Sequence, residues 1–290
     1  MSSSFHIKRL CVIGVGLIGG SLARALRQAG CVEVIVGAGR NKSQLQHATS
    51  LGIIDEFDTD LAKAVRNADV VVVAVPLGAM QSCFAALKDA VASNAIITDV
   101  GSAKQSVITA MQTAFGRLPP GFVPGHPIAG TEKSGVDASF AELFSQRRVI
   151  LTPQAQTAEA AVTVVQQMWQ HCGAQVTIMA AQHHDEVLAA TSHLPHMLAY
   201  ALVDTLARMN DRQEIFTYAA GGFRDFTRIA SSDPQMWHDI CLANREALTK
   251  MLRLFATDLQ RLGDAVEQGD GEFLKITFNR AKTARDQFGE

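Results

Sequence analysis

The feature that most narrows the possible folds lies within the first twenty-odd residues. Ile7 to Gly14 reads IKRLCVIG, a short apolar run that stops at glycine, as a strand buried on both faces of a parallel sheet does. Gly14-Val15-Gly16-Leu17-Ile18-Gly19 completes a G-x-G-x-x-G run, and Leu17 to Gln28 then has helical spacing, with Leu17, Leu22, Ala25 and Leu26 available for one face. Such a run is weak by itself, because glycines in turns are common. Between a strand and a helix it has a mechanism. Gly14 allows the tight turn, Gly16 lets the backbone approach a pyrophosphate, and Gly19 lets helix and strand pack closely. The N–H groups at the helix start, around Leu17 and Ile18, then face the phosphates at the positive end of the helix dipole.

The alternation continues through the first half. Val32 to Val36, Val70 to Val75 (closed by Pro76), Ala95 to Val100, Phe122 to Pro124, Arg148 to Thr152 and Ala174 to Ile178 are strand candidates, separated by helix-like stretches such as Ser43 to Ser50. Strands alternating with helices of this length predict right-handed crossovers and a doubly wound parallel sheet. Val75 and Pro76, ending the clearest strand, join the expected cofactor contacts. After about Met179 the pattern turns almost wholly helical. The expectation is therefore an α/β protein: a Rossmann-type dinucleotide-binding domain over residues 1–179 and an all-helical domain over 180–290. From Pro234 to Leu262 a stripe runs through Trp237, Cys241, Leu248, Met251, Leu252, Phe255, Leu259 and Leu262, with Ser232 or Asp233 as the helix start. A stripe this wide needs a partner, either internal core or a second subunit.

Composition removes whole classes of function. Hydrophobic residues at 48% and charged residues at 19% of 290 allow a sizeable core and exclude global disorder. Lys and Arg total 26 against 28 Asp and Glu, so the basic excess of a nucleic-acid binder is missing. Cys11, Cys31, Cys83, Cys172 and Cys241 are scattered without a C-x-x-C pair and read as thiols in a reducing compartment. The start lacks the order of a signal peptide and no apolar run reaches membrane-spanning length. A cytoplasmic protein with no membrane partner is expected.

Cofactor choice turns on the end of the second strand. An NAD site usually carries Asp or Glu there, on the ribose hydroxyls. This chain reads Val36-Gly37-Ala38-Gly39-Arg40-Asn41-Lys42-Ser43. Past Gly39, Arg40, Lys42 and Ser43 could bind a 2′-phosphate, which favours NADP and leaves NAD possible; otherwise Arg40 and Lys42 are solvated loop charges.

The polar candidates fall where ligands of an open parallel sheet bind, beyond the carboxyl ends of the strands. His126 lies in Gly125-His126-Pro127-Ile128-Ala129-Gly130-Thr131-Glu132, just past a strand end. Ser102, in Gly101-Ser102-Ala103-Lys104, points into the same crevice or caps the helix it opens. His193 and His196 are three apart in a helical pattern, flanking Leu194 and Pro195, and Pro195 should kink that helix and free a carbonyl. A metal site using His183, His184, Asp185 or Glu186 is the competing idea, but the spacing is not that of helical zinc sites, and no metal is expected. Arg224 and Arg228 follow the double glycine Gly221-Gly222. Arg224 has Asp225 or Asp233 as a partner, whereas Arg228 has no acid next to it and suits bidentate binding of a carboxylate.

Taken together, GVGLIGGS, VPLGA, TDVGSAK, GHPIAGTEKSG, SHLPH and GGFRDFTRIASSDPQMW resemble the prephenate/arogenate dehydrogenase family of tyrosine biosynthesis, from about residue 7 to about 280. The resemblance implies a nucleotide-binding domain, a helical domain that dimerises, and an oxidative decarboxylation in which hydride passes to the nicotinamide while carbon dioxide leaves. It implies that His126 assists loss of the ring hydroxyl proton and that Ser102 orients His126 or the hydroxyl. It further implies that Arg228 holds a substrate carboxylate, with His193, His196 and Thr131 on the pocket wall and Arg224 and Glu132 in support. Some relatives carry a fused mutase or regulatory domain, and neither is expected here. The nearest rival enzymes, two-domain hydroxy-acid dehydrogenases and imine reductases, place a catalytic Lys on the helical domain, yet no Lys occurs between Lys133 and Lys250. A non-catalytic NADP-binding sensor would show a broken Ser102, His126, Arg228 set, which is intact.

Overall fold

The computed structural model describes residues 5–210 and 212–287. Its chain order is β1 (Ile7–Ile13), α1 (Leu17–Gln28), β2 (Val32–Ala38), α2 (Lys42–Ser50), β3 (Glu56–Asp58), α3 (Leu61–Ala64), β4 (Val70–Val73), α4 (Met80–Leu87), β5 (Ile96–Asp99), α5 (Lys104–Phe115), β6 (Phe122–Val123), β7 (Gly125–Pro127), β8 (Arg148–Leu151), α6 (Glu159–His171) and β9 (Gln175–Ile178). The helices α7 (Ala181–Leu188), α8 (Leu194–Ala207), α9 (Arg212–Thr217), α10 (Gly221–Thr227), α11 (Pro234–Ala243), α12 (Arg245–Gln268) and α13 (Gly271–Gln287) follow.

Six strands pair in the order β3-β2-β1-β4-β5-β6, every pair parallel. Burial explains the apolar runs. Leu10, Val12, Val70 and Val72 pack on one face with Leu22, Leu26 and Trp169, while Cys11, Ile13, Val71 and Val73 pack on the other with Phe84, Met111 and Phe122. Each of the four valines of β4 is buried, worth about 1.5–3 kcal/mol apiece. The strand order reverses between β1 and β4, and that switch point is where the fold leaves a crevice.

Two strand candidates lie elsewhere than expected. Arg148 to Leu151 and Gln175 to Ile178 form a second, three-stranded sheet, β7-β8-β9, in which β7 runs antiparallel to β8 and His126 faces Ile150. Pro124, which has no N–H to donate, separates β6 from β7, and its carbonyl accepts the Thr152 N–H at 2.9 Å. His126 thus stands on a short strand and not in a loop. The expected single helix over 234–262 also breaks, at Asn244 (φ −109°, ψ 31°). Asp233, not Ser232, caps α11, its carboxylate accepting the Met236 N–H at 2.7 Å.

The chain divides into two compact units, one running to Arg245 and the other from Glu246. In the second unit α12 and α13 are joined through Gly269 (φ +69°), and Asp270 accepts the Phe273 N–H at 3.0 Å to start α13. Among the described residues no helix is long and apolar enough to cross a membrane.

Candidate active site

At the C-terminal edge of β1 the backbone turns at Gly14 with φ +93°. A Cβ there would strike the Ala74 carbonyl, and one at Gly19 would strike the Gly14 carbonyl, whereas Gly16 faces open space. The first and third glycines are therefore demanded by packing, and the second leaves room for a ligand. Among the described residues no side chain caps α1 at Leu17 and Ile18, and its first turn carries no acid, so its N–H groups are free for an anion. Val75 stands against Gly14, and Pro76, exposed, opens a short turn beyond β4. This cradle fits a dinucleotide. Beyond β2, Gly39 borders open space. Arg40 and Lys42 are exposed, and among the described residues neither is in an ion pair. Ser43 donates its hydroxyl proton to Asn41 Oδ1 at 2.7 Å, and the same oxygen caps α2 through the Gln44 N–H.

The end of β5 on the same edge holds a buried ion pair. Lys104 and Asp99 are wholly inaccessible, with Nζ to Oδ2 at 2.5 Å. Lys104 Nζ also donates to the Gly125 carbonyl, while Asp99 accepts the N–H groups of Gly101 at 2.7 Å and Gly125 at 3.1 Å. These bonds pin β7, and with it His126, to the end of β5. Burial pushes the Lys104 pKa down, and Asp99 and Asp185 oppose the shift.

His126 is buried, 8% exposed. Its Nδ1 lies 2.9 Å from His184 Nε2, and His184 Nδ1 lies 2.8 Å from Asp185 Oδ1. Asp185 in turn accepts the N–H groups of Lys104 at 2.7 Å and Gln105 at 2.9 Å, so it supplies the cap of α5. Burial, then the fields of His184, Lys104 and His193, hold the His126 pKa well below that of an ordinary imidazole. Burial works to raise the Asp185 carboxyl, but its donors His184, Lys104 and Gln105 outweigh that and hold it low.

Leu194 donates its N–H to Ala189, five residues back, so the turn Ala189–His193 widens into a π turn. Pro195 explains it: the ring collides with the carbonyl four residues earlier and offers no N–H. The widened turn aims His193 inward. Its Nδ1 lies 3.0 Å from Asn244 Nδ2, which also donates to the Asp185 carbonyl at 2.8 Å. His193 Nε2 is buried without a protein partner among the described residues, and burial pushes the ring down to about 4. His196 donates from Nδ1 to the Ser192 carbonyl at 2.8 Å and stacks on Trp237 with centroids 3.6 Å apart.

The ion pairing of the two arginines differs from what their neighbours in the chain suggested. Arg228, with no acid next to it in the chain, is ion-paired with Glu132. The acid comes from a loop almost a hundred residues away, beyond the reach of local inspection. Arg224, for which Asp225 or Asp233 was expected, makes no ion pair among the described residues, because Asp233 is committed to capping α11. Thr131, exposed, is bonded within its own loop to Lys133. Ser102 does not cap α5, a place Asp185 takes, and among the described residues it makes no hydrogen bond to His126.

Sequence reasoning overlooked Lys104, Asp99 and Asn244 and considered His184 and Asp185 only as metal ligands. A lysine and an aspartate around the glycine closing β5 were a readable signal, whereas Asn244 carried none. Among the described residues no group of three or more His, Cys, Asp or Glu side chains is arranged to hold a metal ion.

A family model described as prephenate dehydrogenase, nucleotide-binding domain, matches residues 22–178, and one described as prephenate dehydrogenase, dimerization domain, matches 180–280. The cyclohexadienyl dehydrogenase of Zymomonas mobilis is 43% identical over 283 residues, 96% of this chain and 95% of that protein. The crystal structure of prephenate dehydrogenase from Aquifex aeolicus, in complex with hydroxyphenyl propionate and NAD+, superposes with a TM-score of 0.91 at 36% identity, over 98% of this chain and 99% of that one. That of Synechocystis arogenate dehydrogenase gives 0.81 at 27%, over 97% and 99%.

Proposed function

The chain belongs to the prephenate dehydrogenase family, and from that premise we propose that it oxidises and decarboxylates prephenate, arogenate or both, with NADP as the preferred acceptor. The observation that carries the reading is His126. It is a buried imidazole kept neutral at physiological pH, on the second sheet but pinned through Gly125 to the end of β5, at the carboxyl edge of the sheet that bears the glycine cradle.

A nicotinamide dinucleotide, when bound, accepts the hydride from the ring carbon bearing the hydroxyl. His126 takes the hydroxyl proton at Nε2, the nitrogen that His184 does not engage, as carbonyl character develops. Loss of carbon dioxide makes the ring aromatic, so the protein's task is chiefly orientation. Arg228 holds a substrate carboxylate in exchange for Glu132. His193, His196 and Thr131 complete the wall, with Ser102 beside the reacting hydroxyl. The NADP preference rests on Arg40 and Lys42 and on the missing carboxylate between Val36 and Ser43. Residues 1–179 serve the cofactor and 180–290 the substrate and a homodimer. The dimer is supported by the description of the second family model and by exposed Leu254, Leu259, Val266, Ile276 and Phe278.

The test is initial rate with NADP and with NAD, on prephenate and on arogenate. A clear NADP advantage is expected, and Arg40→Asp should move the ratio toward NAD. No nicotinamide reduction in any combination would sink the dehydrogenase reading, and a ratio indifferent to Arg40→Asp would remove Arg40 from the cofactor site.

A further inference from the structure

Asp185 is the node of two chains of contacts that end on two histidines in opposite states. We infer that His184 and Asn244 are positioning residues that lock His126 and His193 into opposite tautomers, a bare Nε2 on His126 and a protonated Nε2 on His193. The inference rests on the proposed role of His126 and adds how its reactive nitrogen is prepared.

The argument follows the partners inward. A carboxylate that already receives two backbone N–H groups only accepts, so the proton between Asp185 Oδ1 and His184 Nδ1, 2.8 Å apart, belongs to His184. In the neutral imidazole that leaves Nε2 bare. That nitrogen lies 2.9 Å from His126 Nδ1, so His126 must donate from Nδ1. A neutral His126 then presents an unprotonated Nε2, the form that can take a proton.

The second chain runs the other way. Asn244 Nδ2 lies 2.8 Å from the Asp185 carbonyl, which can only accept, so the amide nitrogen is fixed at that position. The same nitrogen donates its other hydrogen to His193 Nδ1 at 3.0 Å. With Nδ1 accepting, neutral His193 carries its proton on Nε2, the buried atom without a partner among the described residues. An unpaired buried donor is costly unless a ligand satisfies it. One acceptor and one donor suit a hydroxyl, which donates to one nitrogen and accepts from the other.

The experiment is nitrogen NMR of the full chain with 15N-labelled histidine, which separates protonated from bare ring nitrogens, with resonances assigned by His126→Asn and His193→Asn. Bare Nε2 on His126 and bare Nδ1 on His193 are expected. A protonated Nε2 on His126 would overturn the inference for His184, and a bare Nε2 on His193 would overturn it for Asn244. In kinetics, His184→Leu should lower kcat on the order of 10²-fold with KM near wild type. His184→Gln, which keeps an acceptor toward His126 and a donor toward Asp185, should restore most of it. Equal losses in the two variants would mean that His184 merely fills space. The NMR of the wild-type chain needs no turnover, so a protein inactive on both substrates would sink the functional reading and leave the tautomers to be judged separately.

Discussion

Replacing Lys104 by Met tests whether the buried pair at the end of β5 holds the site together. Met nearly fills the same volume, so the change is chiefly the loss of charge. Lys104 Nζ donates to Asp99 Oδ2 and to the Gly125 carbonyl, each at 2.5 Å, and both ionised side chains are fully inaccessible. Removing one partner of such a pair costs about 3–5 kcal/mol, because the other charge stays buried. Asp99 would keep the Gly101 and Gly125 N–H groups, which favours the lower half of that range, and the stranded Gly125 carbonyl adds about 1 kcal/mol. The expected loss is about 4 kcal/mol, a large share of the ~5–15 kcal/mol that holds a folded protein. At about 2–4 °C per kcal/mol for a chain of this size, Tm should fall by about 8–16 °C. Urea unfolding of Lys104→Met, Asp99→Asn and the double variant gives the coupling. The double variant should recover much of the loss, since it removes the stranded charge. A single-variant loss under about 1 kcal/mol, or a double variant no better than Lys104→Met, would refute the reasoning.

Three further outcomes are expected. His126→Asn should fold and bind cofactor but lose kcat by about two to four orders of magnitude; wild-type turnover would take His126 out of the mechanism. Arg228→Gln should raise KM by about tenfold or more with kcat little changed, as a charge-assisted contact is lost, and an unchanged KM would move the carboxylate to Arg224. Stability should decline as pH falls from about 6.5 toward 4. His126, His193 and His196 all have lowered pKa values in the fold, so the unfolded chain binds more protons in that window and none of the three contributes above it. His193, moved from 6.5 to about 4, accounts for about 3 kcal/mol of the decline, and a urea midpoint flat across that range would contradict its burial as a neutral ring.

The covalent order of the chain was enough to place the dinucleotide cradle. Its parts are contiguous: a strand, three glycines and a helix start within residues 7–28 need only local geometry and burial on both faces of the sheet. Pro195 was legible for a similar reason, since its effect is confined to one turn of helix, though not that the turn would widen and send His193 and His196 to different neighbours. The position of His126 at a strand's end was readable too. That it lies on a separate sheet was not, because the antiparallel partner β8 comes more than twenty residues later.

Pairing of polar groups is where the order of residues falls silent. Asp225 lies next to Arg224 in the chain, yet Glu132 reaches Arg228 across almost a hundred residues. Asp185 caps a helix some eighty residues earlier, and Asn244, in a break between helices, turns the ring of His193. Apolar periodicity reports which face of an element is buried, because burial follows the repeat of the backbone. It carries nothing about which buried donor meets which acceptor, since that depends on distances set only once the elements have packed. The sequence thus determined a nucleotide fold, a helical second half and a short roster of reactive side chains. The tertiary structure alone decided their partners, and through the partners, which nitrogen of each histidine is free to act.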